Sequence, residues 1–332
     1  MTEQELISLL TKGIPREAKG LRVGIGDDCA VINGDGFDWL VTTDALLEGV
    51  HFQFEYTGDV LLGRKALSAN LSDIAAMGGE PLFYTVSIGV PQVFQVERLE
   101  ALYKGMQEIA DEFHVLLIGG DTCSSQSGLV ISITAMGRVA RGKACLRRGA
   151  SPGDAVYVTG TLGESALGLK CLQRGYTDLR FGPYLDRHRN PAARLDAGQW
   201  LMSTEMVTSM IDISDGLLAD LGHISESSNV GFEINARSLR LAKEFVDCAT
   251  ELALDPLELA LTGGEDYELA FTIAKDEISN FERLLHEKEQ TFGHFVTCIG
   301  SMTQKPQDRL VFDLQERPIS LKRTGYDHFY KP

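Results

Sequence analysis

Carboxylates stand beside glycine, serine or threonine at point after point along this 332-residue chain. The segments are Gly24-Ile25-Gly26-Asp27-Asp28, Thr42-Thr43-Asp44, Ser72-Asp73, Ile118-Gly119-Gly120-Asp121-Thr122, Asp212-Ile213-Ser214-Asp215-Gly216 and Gly263-Gly264-Glu265-Asp266. Glycine lets backbone approach a bulky ligand, and carboxylates with hydroxyls are hard oxygen ligands. Many acids converging without a Cys or His cluster describe a Mg²⁺ site. Such a site would hold more than one ion, because so many like charges cannot share a pocket uncompensated. Mg²⁺ in this setting bridges nucleotide phosphates. Each segment alone has a plainer reading. Gly-Gly-Asp is an ordinary turn, Asp73 a buried acid bonded to backbone, Asp215 a helix cap and Glu265 the cap of its turn.

No P-loop is present, since the one Gly-Lys pair, Gly142-Lys143, is followed by Ala144. Gly24-Ile25-Gly26 begins like a dinucleotide fingerprint, but Cys29 takes the third glycine's place. A kinase-type catalytic loop and a G-x-S-x-G elbow are also missing. ATP, if used, is held chiefly through metal ions.

The elements that must position these residues follow from pattern. Residues 2–12 predict an amphipathic helix with a Thr2/Glu5 capping box and Leu6, Leu9 and Leu10 on one face. Strands are expected at 29–32 and 39–43, the second ending at Asp44, with His51 in the loop beyond. A long helix is expected from Asp59 to Met77, with Asp73 near its apolar stripe, where an unpaired carboxylate is costly. A strand at 82–90, a helix at 96–113, a buried strand at 115–118 ending at Asp121, and a strand at 129–139 complete an α/β or α+β first domain, residues 1–140. Residues 141–149 read as a basic linker that could also meet phosphates. A second α/β domain, 150–332, has strands at 155–158, 207–213 and 269–273. Its expected helices are at 163–174, up to 202, 216–227 and 277–287, with a polar loop over 175–191. Ser214 or Asp215 suits the N-cap of the third helix. "NLSDIAAMGG" and "DISDGLLADLG" hint at related halves.

The formal charge of −16, with 47 acids against 31 Lys and Arg, argues against a nucleic-acid partner. Cysteines at 29, 123, 145, 171, 248 and 298 lack zinc spacing and read as reduced thiols. The acidic N-terminus and the lack of a membrane-length apolar run lead us to expect a cytoplasmic protein with no membrane contact.

"GIGDDCAVI", "VTTDALLEGVHF", "KALSANLSDIAAMGGEP", "IGGDT", "RRGASPGDAVYVTG", "DISDGLLADL" and "LTGGEDYELAFT", in this order, resemble the thiamine-monophosphate kinase family. That family belongs to the aminoimidazole-ribonucleotide synthetase superfamily, and the resemblance spans roughly residues 20–330. It implies a two-domain synthetase-like fold whose N-terminal domain pairs with its twin to close a β-barrel. It also implies a homodimer that transfers the γ-phosphoryl of ATP directly to thiamine monophosphate, with several Mg²⁺ ions and no general base. The implied metal ligands are Asp27, Thr42, Thr43, Asp44, Asp73, Asp121, Asp212 and Asp215. Tyr103, Gly120, Asp121, Arg147 and Ser214 would touch ATP; His51, Glu265 and Tyr326 would face the acceptor. Arg148 competes with Arg147 for the phosphate role. Tyr103 and His51 also read as ordinary core and loop residues.

Two other readings stay open: a different ATP-using enzyme of the superfamily, and a non-catalytic nucleotide-binding regulator. A selenophosphate synthetase would show a Cys or Lys pair near the start. The hydrogenase-maturation relative would end in cysteine, whereas this sequence ends His328-Phe329-Tyr330-Lys331-Pro332.

Overall fold

The computed structural model describes residues 2–288, 296–319, 321 and 324–329. Tyr330-Lys331-Pro332, part of the expected second domain, lie outside the described residues. The first half comprises α1 (Glu3–Leu10), β1 (Leu21–Val23), β2 (Ala30–Asn33), β3 (Phe37–Leu47), α2 (Asp59–Ala76), β4 (Glu80–Pro91), α3 (Val96–Phe113), β5 (Leu116–Ser125) and β6 (Val130–Ala140). The second comprises β7 (Ala155–Thr159), α4 (Glu164–Gln173), α5 (Gly182–Arg189), α6 (Leu195–Ser203), β8 (Val207–Ile213), α7 (Leu217–Ser228), β9 (Gly231–Asn235), α8 (Lys243–Glu251), α9 (Pro256–Thr262), β10 (Glu268–Ile273), α10 (Ile278–Lys288), β11 (Val296–Thr303), β12 (Arg309–Phe312) and β13 (Pro318–Ile319).

Each half builds one mixed sheet, so the fold is two-domain α/β. The first sheet runs β1-β2-β3-β6-β4-β5 and the second β13-β12-β9-β11-β7-β10-β8. In the first sheet only β4 and β5 pair in parallel, and α3 supplies the crossover that such a pair requires. The sheet stays open, with β1 and β5 at its edges, so no barrel closes among the described residues of the single chain.

Helix α2 lies at the centre of the molecule. It packs on β3, β6, α3 and α6 and also on β8 of the second sheet. It is buried nearly all round rather than along a stripe, which suits a helix enclosed on every side. Gly63 on α2 and Gly105 on α3 allow the close contact. A Cβ on Gly63 would strike the Leu102 carbonyl, and one on Gly105 the Val60 carbonyl.

Several expectations need correction. The capping box of Thr2 and Glu5 is present, but among the described residues of α1 none is buried, and Leu9 and Leu10 are exposed. The strand β5 is not buried: as an edge strand it leaves Leu116 and Ile118 exposed, Leu117 is half-buried against the core, and Val115 just before the strand is fully in it. It runs on to Ser125, so Asp121 is mid-strand rather than at a strand end. Likewise β3 continues past Asp44 to Leu47. The loop expected over 175–191 contains α5. Gly216, not Ser214 or Asp215, is the N-cap of α7, and the Asp220 carboxylate instead accepts from Asp215 N (3.2 Å) and Gly216 N (3.0 Å). Finally, "NLSDIAAMGG" is the end of a helix and "DISDGLLADLG" a strand–turn–helix, so the two segments are not structural repeats.

Candidate functional site

The acids converge where α2 meets β8. Carboxylate oxygens of Asp28, Asp73 and Asp212 all lie within 4.8 Å of one another. Strand alternation points Thr42 and Asp44 to one face of β3 and Thr43 to the other. On the inner face, Thr42 Oγ1 donates to Asp73. Asp44 N donates to Asn70 Oδ1 of α2 at 3.2 Å. Ser72 Oγ donates to Asp212 Oδ2 at 2.7 Å, tying α2 to the end of β8. Arg147 closes the cluster: its guanidinium meets Asp28 Oδ1 at 2.6 Å and its backbone N–H donates to Asp27 Oδ1 at 3.2 Å. Arg148 is exposed.

Burial and mutual repulsion disfavour charge on these acids. Burial pushes Asp27, Asp44 and Asp215 up to about 6 and Asp212 to about 8. Burial, then Asp44 and Asp212, hold Asp73 well above the carboxylate range. Among the described residues, Asp28 Oδ2 is buried with no hydrogen-bond partner. An orphaned, buried carboxylate oxygen beside two others, with hydroxyl and carboxylate donors only, fits a hard divalent ion.

A cleft of about 430 Å³ opens from Asp44, Asp73, Asp212 and Asp215 toward His51, Tyr56, His188, Glu265, Tyr326 and His328. At its far wall Glu265 and Tyr267 have positive φ, +64° and +51°, strain that the fold maintains through Glu265 N to Ser214 O (2.7 Å) and Tyr267 N to Ile213 O (2.9 Å). His51 Nδ1 accepts from Leu47 N at 3.0 Å, so Nε2 carries the ring's proton. Burial lowers its pKa and keeps the ring neutral. Tyr326 N donates to Asp215 O at 2.9 Å, which folds the C-terminal segment over the cleft.

The sequence matches the profile of the AIR synthase related protein, N-terminal domain, over residues 26–139, and that of its C-terminal domain over residues 151–313. The chain is 36% identical to thiamine-monophosphate kinase of Bacillus subtilis (strain 168), over 99% of this chain and 100% of that one. With the Escherichia coli (strain K12) enzyme of that name, identity is 38% over 94% of this chain and 93% of that one. The chain belongs to the thiamine-monophosphate kinase family. Solved structures agree. AaThiL complexed with AMPPCP and TMP matches with a TM-score of 0.84 at 32% identity, covering 99% of this chain and 97% of that one. Thiamine-monophosphate kinase from Stenotrophomonas maltophilia K279a matches with 0.75 at 34% identity, covering 94% and 95%.

Of the residues that resemblance to the thiamine-monophosphate kinase family singles out, the fold brings most to one cleft. Asp44, His51, Asp73, Asp212, Ser214, Asp215, Glu265 and Tyr326 line it, Thr42 bonds to Asp73, and Asp27 meets Arg147. Thr43, Gly120, Asp121 and Tyr103 are not among its lining residues. Thr43 lies on the outer face, bonded to Ile133 O and Thr134 Oγ1. Gly120 and Asp121 are exposed on edge strand β5, where a Cβ on Gly120 would strike the Val86 carbonyl. Tyr103, on α3, is half-buried against the hydrophobic core that includes Leu102, Met106 and Tyr84.

Sequence reasoning missed Asp28, Lys65, His188 and His328. The doubled acid in Gly26-Asp27-Asp28 was a usable signal for the first. Lys65 and His188 gave none, because only tertiary contact with Glu265 marks them, Lys65 Nζ at 2.6 Å and His188 Nδ1 at 3.3 Å.

Proposed function

We propose that this protein transfers the γ-phosphoryl group of ATP directly to thiamine monophosphate, giving thiamine diphosphate. The observation that carries the reading is one continuous cleft with converging buried acids at one end and a carboxylate, a neutral histidine and a tyrosine at the other. Family membership and a relative complexed with AMPPCP and TMP support it.

Asp27, Asp28, Thr42, Asp44, Asp73, Asp212 and Asp215 would hold several Mg²⁺ ions, which when bound neutralise phosphate charge. The protein's own part is alignment. The attacking phosphate oxygen is already an anion, so no side chain need remove a proton. Arg147 and Ser214 face the nucleotide side of this arrangement, while His51, Glu265 and Tyr326 face the acceptor. His51 Nε2–H would donate to the acceptor and orient it.

The same reading includes a homodimer in the cytoplasm. The long edge strand β5 and the outer sheet face that carries Thr43 are exposed in one chain. A second copy pairing there would cover them, close a barrel and give Tyr103, Gly120, Asp121 and Thr43 a place at the nucleotide. The cysteines are free, as a reducing compartment would leave them. Among the described residues no helix is long and apolar enough to cross a membrane.

Incubation with Mg-ATP and a panel of phosphorylated acceptors tests the assignment. Thiamine diphosphate should form with stoichiometric ADP. Its absence, or inorganic phosphate in its place, would overturn the reading.

A further inference from the structure

A lysine ammonium is rarely buried without a strong partner, because desolvating it is costly. Lys65, on the innermost face of α2, is 2% exposed, and its Nζ meets Glu265 Oε1 at 2.6 Å. The other oxygen of the same carboxylate lies 3.3 Å from His188 Nδ1 of α5. Ser165 Oγ of α4 is 3.2 Å from that nitrogen. Burial keeps His188 neutral, with a pKa lowered to about 3. The Lys65 ammonium in turn holds the Glu265 carboxyl below its usual range, against the burial that raises it. The backbone under Glu265 is already locked by its positive φ and its bond to Ser214 O.

The arrangement is directional. Glu265 lines the cleft and is 26% exposed, whereas the ammonium sits behind it and is not among the lining residues. A pair serving only the core would have no reason to leave the carboxylate side chain part-exposed at the cleft. We propose that Lys65 is a positioning residue for the acceptor: from α2 it holds the Glu265 carboxylate in one orientation at the cleft wall. This rests on the assignment of Glu265 to the acceptor side.

Helix α2 makes the device specific. Asp73 lies eight residues beyond Lys65 on the same buried helix, about 12 Å along its axis. One rigid element therefore fixes the carboxylate that meets the acceptor relative to the acids that meet the phosphates. Loosening Glu265 would disturb acceptor binding while leaving the acid end of the helix in place.

Steady-state kinetics of Lys65→Met, Glu265→Gln and the double variant test this. Lys65→Met should raise the KM for thiamine monophosphate about ten- to a hundredfold, leaving that for ATP within about twofold. Glu265→Gln should do the same, and the double variant should be no worse than Glu265→Gln alone, because both act through one carboxylate. If Lys65→Met does not fold, Lys65→Gln, which keeps a donor but ends short of the carboxylate, should raise the same constant several-fold. An unchanged KM for thiamine monophosphate in the folded Lys65 variant, with a raised one in Glu265→Gln, overturns the positioning role. An unchanged constant in Glu265→Gln overturns the acceptor assignment beneath it. Equal weakening of ATP by Lys65→Met overturns the proposal in favour of a general packing role.

Discussion

Ser72 Oγ donates to Asp212 Oδ2 at 2.7 Å, joining a helix of the first sheet's domain to a strand end of the second across 140 residues of sequence. The bond lowers the Asp212 carboxyl against burial and Asp28, which raise it. It thus holds together, across the domain junction, a cluster that would otherwise repel itself. We expect Ser72→Ala to cost about 1–3 kcal/mol of stability, the usual penalty for stranding a buried acceptor. Half-saturation by Mg²⁺ should move to higher concentration in the same variant. Thermal denaturation and a Mg²⁺ titration of activity read the two effects, and an unchanged Mg²⁺ response would separate the bond from the metal site.

If the crowded acids hold metal ions, as proposed, they should be a burden to the ion-free fold. Asp44→Asn and Asp73→Asn each remove a carboxylate whose charge the ion-free fold disfavours. Turnover should fall by at least about a hundredfold. The melting temperature without Mg²⁺ should hold or rise. Near-full activity in both variants would sink the multi-ion site, and a sharp loss of ion-free stability would mark these acids as structural.

The same shifts set a pH dependence. Asp27, Asp44 and Asp215, at about 6, and Asp212, at about 8, retain protons in the folded, ion-free protein that the unfolded chain releases near pH 4. Their contribution is fully present below about pH 4 and lost as pH rises through 6 to 8. Ion-free melting temperature should therefore decline over that window. Mg²⁺, which binds the deprotonated forms, should raise it more at pH 8 than at pH 5.5. Differential scanning fluorimetry with and without Mg²⁺ reads this directly. A Mg²⁺ effect that is flat with pH would contradict it.

Edge strand β5 offers the dimer test. Leu116 and Ile118 are exposed in one chain, so Ile118→Lys should shift the protein from dimer to monomer in light scattering at micromolar concentration. Activity should fall with it, because Gly120 and Asp121 lie on the same strand. A wild-type monomer at full activity would refute the proposed assembly.

Much of the acid lining of the candidate cleft, Asp44, Asp73, Asp212 and Asp215, was legible from the sequence alone. Acids beside small polar residues, with no P-loop, no thiol cluster and no nucleophile elbow, already implied oxygen ligands and metal-assisted phosphate chemistry. The strand Val207–Ile213 and the helices around 59–76 and 96–113 could be read from periodicity, since apolar patterning and glycine stops are local properties. Tertiary structure decided what depends on neighbours distant in sequence. The apolar run before Gly119 reads as buried, yet edge or centre is settled by strand order, and β5 falls at the edge. Lys65 looks like any helical lysine until the fold carries Glu265 to within 2.6 Å of it, 200 residues later in the chain. Composition and spacing record which groups a chain possesses. Which of them are stripped of water together, and so which charges must be paired, is set only when α2 packs against both sheets.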